Sequence, residues 1–465
     1  MKKEVNMLDG SIVKGLFAIA IPIMVMNVVQ SMFNIIDMTV LKMFDSSGGL
    51  AVGAVGASGT LITLITGLMT GCASGSNVVI ARHIGRKDQE AVDRTVGVSL
   101  VFSVLGGLLL LIIGVSCADV FLTWMNCSEV LMAEATLYFR LYFLGCPLLM
   151  IYNFCAAALR SAGDSKRPMM YLITSGGIKV VLTVLFVAVF KMTVAGVALA
   201  TIVSWIFLAI VGVVTLLRNN GVVKLKPKHL RIYRSELADI LKIGVPAGLQ
   251  MALYSIANVI ISATVNSFGP QATTGISIAN NFDGILYQIS TAPALAVMPY
   301  VSQNVGCGNV KRASDSIVRG MIITVALGAS FGALSAIFSG QLSSIMSSDP
   351  VVIEYSQQKM MLISSTYFIC GINEIMCAAL RGMGKPIIPT ISTLVFMCGI
   401  RFIWVYLVFP LVPNLTFLYL IWPIGWILSI CTLLCFFFPR LNHLKRLNKG
   451  GADYPSDAEE IGLAK

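Results

Sequence analysis

The stretch Pro22–Asp37, PIMVMNVVQSMFNIID, decides how this chain is read. It lies inside an apolar run that four polar side chains interrupt: Asn27, Gln30, Asn34 and Asp37. Spacings of three, four and three place them on one face of a helix, with Ile, Val, Met and Phe on the others. A carboxylate closing such a stripe, deep in a hydrophobic helix, requires a partner or a water-filled cavity. The pattern returns in Pro246–Ser262, PAGLQMALYSIANVIIS, where Gln250, Tyr254 and Asn258 stand four apart. Two such helices imply a chain built as two halves.

The composition supports a membrane reading. Of 465 residues, 57% are hydrophobic and 12% charged, about half the charge of a soluble domain, and the mean hydropathy is +0.85. The sequence predicts an all-α polytopic membrane protein with about twelve transmembrane helices. These fall near 14–37, 50–80, 95–117, 131–157, 167–190, 193–217, 240–264, 272–300, 317–340, 353–379, 387–410 and 416–438. The N-terminal apolar run is too long for a signal-peptide core and has no small-residue cleavage site, so it reads as the first span.

The net charge of +11 does not indicate nucleic acid, because the charges sit in short loops between apolar runs. Arg82, Arg86, Lys87 and Arg94 follow span two, and Arg160, Lys166 and Arg167 follow span four. Lys224, Lys226, Lys228, Arg231 and Arg234 follow span six; Lys311 and Arg312 follow span eight; Arg381 and Lys385 follow span ten. The alternate loops carry little beyond Lys42 and Lys191. The positive-inside rule then places both termini in the cytoplasm of a plasma-membrane protein. The eleven cysteines form no CxxC pair, so neither a metal site nor a disulfide framework is indicated. Cys117 and Cys127 stand in one outer loop, either paired or as two partly buried thiols. Arg82 and His83 read as surface residues.

An internal repeat fixes the architecture. Pro22 maps onto Pro246, ARHIG (ending at Gly85) onto SQNVG (ending at Gly306), and AALRSAG (Ala157–Gly163) onto AALRGMG (Ala378–Gly384). The offset stays between 221 and 224. Six spans per half give parallel repeats: two six-helix bundles related by a pseudo-two-fold axis, around a central cleft. The expected divisions are an N-terminal lobe over 1–218, a basic cytoplasmic linker over 219–239, a C-terminal lobe over 240–440, and a cytoplasmic tail over 441–465.

Five ionisable residues lie well inside spans: Asp37, Lys179, Asp283, Glu374 and Arg401. Charges at such depth cost several kcal/mol unless paired or wetted, so they are functional candidates by default. Lys179 and Arg401 are repeat equivalents to within one residue. The structural reading pairs Lys179 with Asp37, and Arg401 with Asp283 or Glu374, simply to hold helices together. The functional reading makes Asp37, Asp283 and Glu374 ion-coupling sites with Lys179 and Arg401 as their charge partners. Two acids against one arginine leave the second half a spare negative charge, which favours it for coupling. Asn280, Asn281, Tyr287 and Gln288, with Gln250, Tyr254 and Asn258, can line a wet cavity or bond helices together.

The residues quoted resemble the MATE family (multidrug and toxic compound extrusion) of the MOP flippase superfamily over nearly the whole chain. The likeness rests on the two six-span repeats, on IPIMVMNVVQSMFNIID, on SGSNVVIARHIGRKD after span two, on LRSAGDSKRP and on LRGMGKP. The resemblance implies secondary active efflux: organic, often cationic compounds leave in exchange for inward H⁺ or Na⁺, by alternating access between two lobes. It implies a coupling role for Asp37. The chain departs from the family at three points. DMTVLK stands where D-x-x-V-G is usual. Tyr254 and Ser255 occupy the seventh-helix face where other members carry an acid. Lys179 replaces a neutral amide.

The expected partners are thus a small organic cation and the lipid bilayer, with no nucleic acid, no cofactor beyond the coupling ion, and a monomer. A lipid-linked precursor flippase of the same superfamily would need unmatched cations facing the cleft to hold pyrophosphate. A channel would need oligomeric symmetry or a filter motif. No P-loop is present to couple ATP, and no catalytic cluster suggests an enzyme.

Overall fold

In the computed structural model, residues 5–44, 50–124 and 129–449 are described, and they contain helices and no strand. Cys127 lies outside them, as does the side chain of Asn34. All-helical structure is what a bilayer demands, because a lipid-exposed backbone must satisfy its own hydrogen bonds. Ten helices among the described residues are long and apolar enough to cross a membrane, and a bent pair makes an eleventh.

The first half contributes α1 (Ile12–Phe44), α2 (Leu50–Arg86), α3 (Gln89–Ser116), the short α4 (Ala118–Trp124), α5 (Glu129–Ser161), α6 (Lys166–Val184) and α7 (Val194–Arg218). A π-helical turn, Leu185–Val189, extends α6. The second half begins with α8 (Arg234–Asn266), α9 (Pro270–Gly306), α10 (Val310–Ile337) and the short α11 (Ser339–Ser344). It continues through α12 (Pro350–Ser364), α13 (Tyr367–Gly382), α14 (Ile387–Ser392), α15 (Ile400–Ile403), α16 (Leu415–Tyr419) and α17 (Ile421–Lys449). The expected span at 272–300 is α9, which does not count among the apolar helices. Its midsection exposes Ser277, Asn280, Asn281 and Tyr287.

The repeat is visible in the helices themselves. The pairs α1/α8, α2/α9 and α3/α10 have 33, 37 and 28 residues in both copies. Asp88 caps α3 by accepting from the Ala91 N–H at 3.0 Å, and Asn309 caps α10 by accepting from Arg312 N–H at 3.1 Å. Gly163 and Gly384, which end the two AALR motifs, both take positive φ (84° and 80°), a conformation glycine adopts without strain. The copies differ in one span: α5 runs unbroken through Pro147, whereas its counterpart bends by 48° between α12 and α13.

The chain divides into two compact units, and the divisions fall inside the helices α1 and α8. The first unit is Val25–Gly248 with the N-terminal residues up to Val5; the second is Asn6–Met24 with Leu249 onward. Both breaks, Met24/Val25 and Gly248/Leu249, come two residues after a proline, Pro22 and Pro246. The physical reason is packing. The linker is no free loop: Val223 and Leu225 enter a core with Ile80, Val92 and Val96, and Lys226 bridges to buried Asp93 at 2.5 Å. The start of α8 then lies backbone to backbone on α2, where a Cβ on Gly244 would stand 2.5 Å from the Cys72 Cα. Glu236 meets Arg94 at 3.4 Å. In the second unit, Arg312 donates to the Met7 and Asp9 carbonyls at 2.9 and 2.8 Å, which fixes the segment before α1. Arg82 is buried and His83 half-buried at the end of α2, against the expectation of surface positions.

Candidate functional site

In the first unit the polar stripe of α1 ends in an ion pair. Asp37 is buried and meets the Lys179 ammonium at 2.5 Å. The Thr183 hydroxyl, one turn further along α6, donates to the same carboxylate at 3.3 Å. Gly176 lets the helices close on each other, since a Cβ there would run into the Phe33 ring. Along the stripe, Asn27 is half-buried and Gln30 exposed. The expected Lys179–Asp37 pair is therefore formed.

The second unit corrects the sequence reading. Arg401 meets neither Asp283 nor Glu374. It donates to Asn258 Oδ1 at 2.7 Å, and its guanidinium lies 5.2 Å from the centre of the Trp422 ring. Asp283 is held instead by Lys359 at 2.9 Å. Lys359 also donates to Asn280 on the same helix as Asp283 and lies 5.9 Å from the Trp422 ring centre. The second carboxylate oxygen of Asp283 is buried without a hydrogen bond.

Lys359 lies within the expected span 353–379 but near its end, where a lysine can reach the interface, and it does not figure among the five deep charges. Its spacing was the available signal. Val352, Ser356, Lys359, Met360 and Ile363 are all buried and recur at helical intervals on one face of α12. With Lys359 counted, the deep charges of the second unit are two acids and two cations, so no spare negative charge follows from counting.

Position, rather than count, distinguishes Glu374. It is half-buried on α13 and accepts from the Tyr254 hydroxyl at 3.4 Å. Among the described residues no ammonium or guanidinium lies within 4.0 Å of it. Arg381, one helical stretch further along α13, is within electrostatic range and donates to Gln250 Oε1 at 2.9 Å. Tyr287, on the exposed stripe of α9, also lies in the field of Glu374. Gln250, Tyr254 and Asn258 thus form one stripe of α8, touching Arg381, Glu374 and Arg401 in turn. In a membrane helix, exposed asparagines at 258, 280 and 281 and an exposed Tyr287 fit a wet surface rather than lipid.

Comparison with known proteins agrees with this architecture. The MatE family model matches the chain twice, over residues 22–185 and 246–407. The two matches start 224 residues apart and end 222 apart. The chain is 26% identical to the probable multidrug resistance protein YoeA of Bacillus subtilis (strain 168), over 84% of this chain and 86% of that one. It is 25% identical to the probable multidrug resistance protein NorM of Thermotoga maritima, over 82% of each. In fold it is similar to the outward-facing conformation of a multidrug resistance MATE family transporter of the MOP superfamily. That likeness has a TM-score of 0.87 at 21% identity and covers 96% of this chain and 99% of that one. With its double match, its repeated helices and its apolar spans, the chain belongs to the MatE family of multi-pass membrane transporters.

Proposed function

We propose that this transporter exports small organic compounds, cationic ones among them, across the plasma membrane in exchange for inward H⁺ or Na⁺, with Glu374 as the coupling carboxylate. The observation that carries the reading is the state of the three deep acids. Asp37 and Asp283 each hold a lysine, at 2.5 and 2.9 Å, whereas among the described residues Glu374 has only the Tyr254 hydroxyl within hydrogen-bond reach. A carboxylate with an ammonium in place gains little from a further cation. One without it can take H⁺, Na⁺ or the positive group of a substrate, and these compete for it. Competition of that kind is what exchange requires, because a ligand shifts a two-state transporter only by binding the states unequally. Relatives called multidrug resistance proteins support the substrate class, and the basic loops on one side support cytoplasmic termini.

The energetics suffice. One inward H⁺ gains about 2.3 kcal/mol per 100 mV, and each 1.4 kcal/mol is tenfold in a concentration ratio, so one ion sustains a gradient of some tens-fold. The reading invokes a monomer and no cofactor beyond the ion. The test is ethidium transport in proteoliposomes under an imposed pH or sodium gradient. Wild type is expected to respond to one of the two, and Glu374→Gln to neither. Full gradient-driven transport by Glu374→Gln would overturn the assignment.

A further inference from the structure

Arg401 is a deep charge that the coupling reading leaves unused. Its side chain is 3% exposed. Unlike Lys179 and Lys359, it has no carboxylate within 4.0 Å among the described residues. A guanidinium carries five N–H donors, and among the described residues Arg401 makes one hydrogen bond, to Asn258, and lies over the face of Trp422. A buried guanidinium with more donors than acceptors defines a place for an anion. A buried cation left without a counter-charge is strongly destabilising, and inside a membrane it marks a functional site by default.

The backbone around Arg401 is as unusual as its charge. The single α-turn Ile400–Ile403 lies between two π-helical stretches, Thr393–Gly399 and Trp404–Val408. Such insertions rotate side chains out of α-helical register and recur at functional sites. Asn258, the group that orients the guanidinium, is itself exposed. The guanidinium therefore sits just beneath the wet polar face of α8 rather than sealed in the core.

We infer that Arg401, oriented by Asn258, forms a subsite for the carboxylate of an organic substrate. The planar fork of the guanidinium matches a carboxylate. The inference deepens the proposed function and rests on its reading of the second unit's polar face as the substrate surface. Tyr254 touches Glu374 and Asn258 touches Arg401, one turn apart on α8 and so about 6 Å along its axis. An amphoteric compound would then set its amine at Glu374 and its carboxylate at Arg401.

The test is a binding titration of the purified full-length protein, without any gradient, using naphthoate and its neutral counterpart naphthamide. Wild type is expected to bind naphthoate at least tenfold more tightly. Arg401→Gln should bring the two to parity, and Arg401→Lys should keep part of the preference. Asn258→Ala removes the group that orients the guanidinium, should weaken the preference several-fold, and serves if Arg401→Gln does not fold. Equal binding by wild type, no binding of either probe, a preference that survives Arg401→Gln, or an undiminished preference in Asn258→Ala would each overturn the subsite. Glu374→Gln should leave the naphthoate preference intact, so a failed coupling assignment and a failed subsite give different results.

Discussion

Removing the ammonium from the first unit's ion pair should show how strongly Asp37 depends on it. Lys179→Met keeps the length and apolar stem of the side chain but leaves the Asp37 carboxylate, 9% exposed in its side chain, facing a thioether. What remains among the described residues is the Thr183 hydroxyl at 3.3 Å, a single neutral donor. Stranding one partner of a buried ion pair costs about 3–5 kcal/mol, mostly the uncompensated charge rather than the lost attraction. Removing both, as in Asp37→Leu with Lys179→Met, strands nothing and should cost no more than about 1–2 kcal/mol. The double-mutant cycle should therefore give a coupling energy of about 2 kcal/mol or more. Denaturant unfolding of the detergent-purified variants, compared by midpoint at constant slope, measures it. Additive single mutants, or a loss below about 1 kcal/mol for Lys179→Met, would mean that water or bound ions already neutralise Asp37. The contrast drawn between Asp37 and Glu374 would then fall.

Other substitutions probe the framework. Gly244→Val should destabilise the first unit by about 1–3 kcal/mol, as overpacking does, because its branched side chain would enter the Cys72 backbone; an unchanged unfolding midpoint would contradict the close helix contact. Lys226→Met should speed proteolysis of the 219–233 segment several-fold by releasing it from Asp93, and a wild-type digestion rate would show that Val223 and Leu225 suffice to hold it. Arg312→Ala removes the donors to the Met7 and Asp9 carbonyls and should raise amide exchange at residues 5–10, whereas unchanged exchange would leave the anchoring to Asn304 alone.

Most of the architecture could be read from the sequence because apolar length and charge placement are local signals. Pro22/Pro246 and the two AALR motifs carried the repeat, and the matched lengths of α1/α8, α2/α9 and α3/α10 follow from it. The deep pairing was half legible. Asp37 and Lys179 meet as expected, with their helices closing at Gly176. The second unit could not be solved by counting, because a helix face rather than span membership decides which charges meet. Lys359 lies on the buried face of α12 toward Asp283, and the π-helical insertions flanking Arg401 turn it to Asn258 instead. Irregular turns of that kind leave no periodic trace in a sequence. The division inside α1 and α8 was equally hidden, since it depends on glycine contacts between distant segments.

The most direct test of the account is ion release from the purified protein when ethidium binds, read by a pH indicator in weak buffer and by a sodium-sensitive dye. If Glu374 is the carboxylate for which substrate and ion compete, wild type releases about one ion per ethidium bound. Glu374→Gln should release none, while Lys179→Met and Arg401→Gln should still release it. Stoichiometric release by Glu374→Gln, or binding of ethidium to wild type with no ion released, would contradict the account.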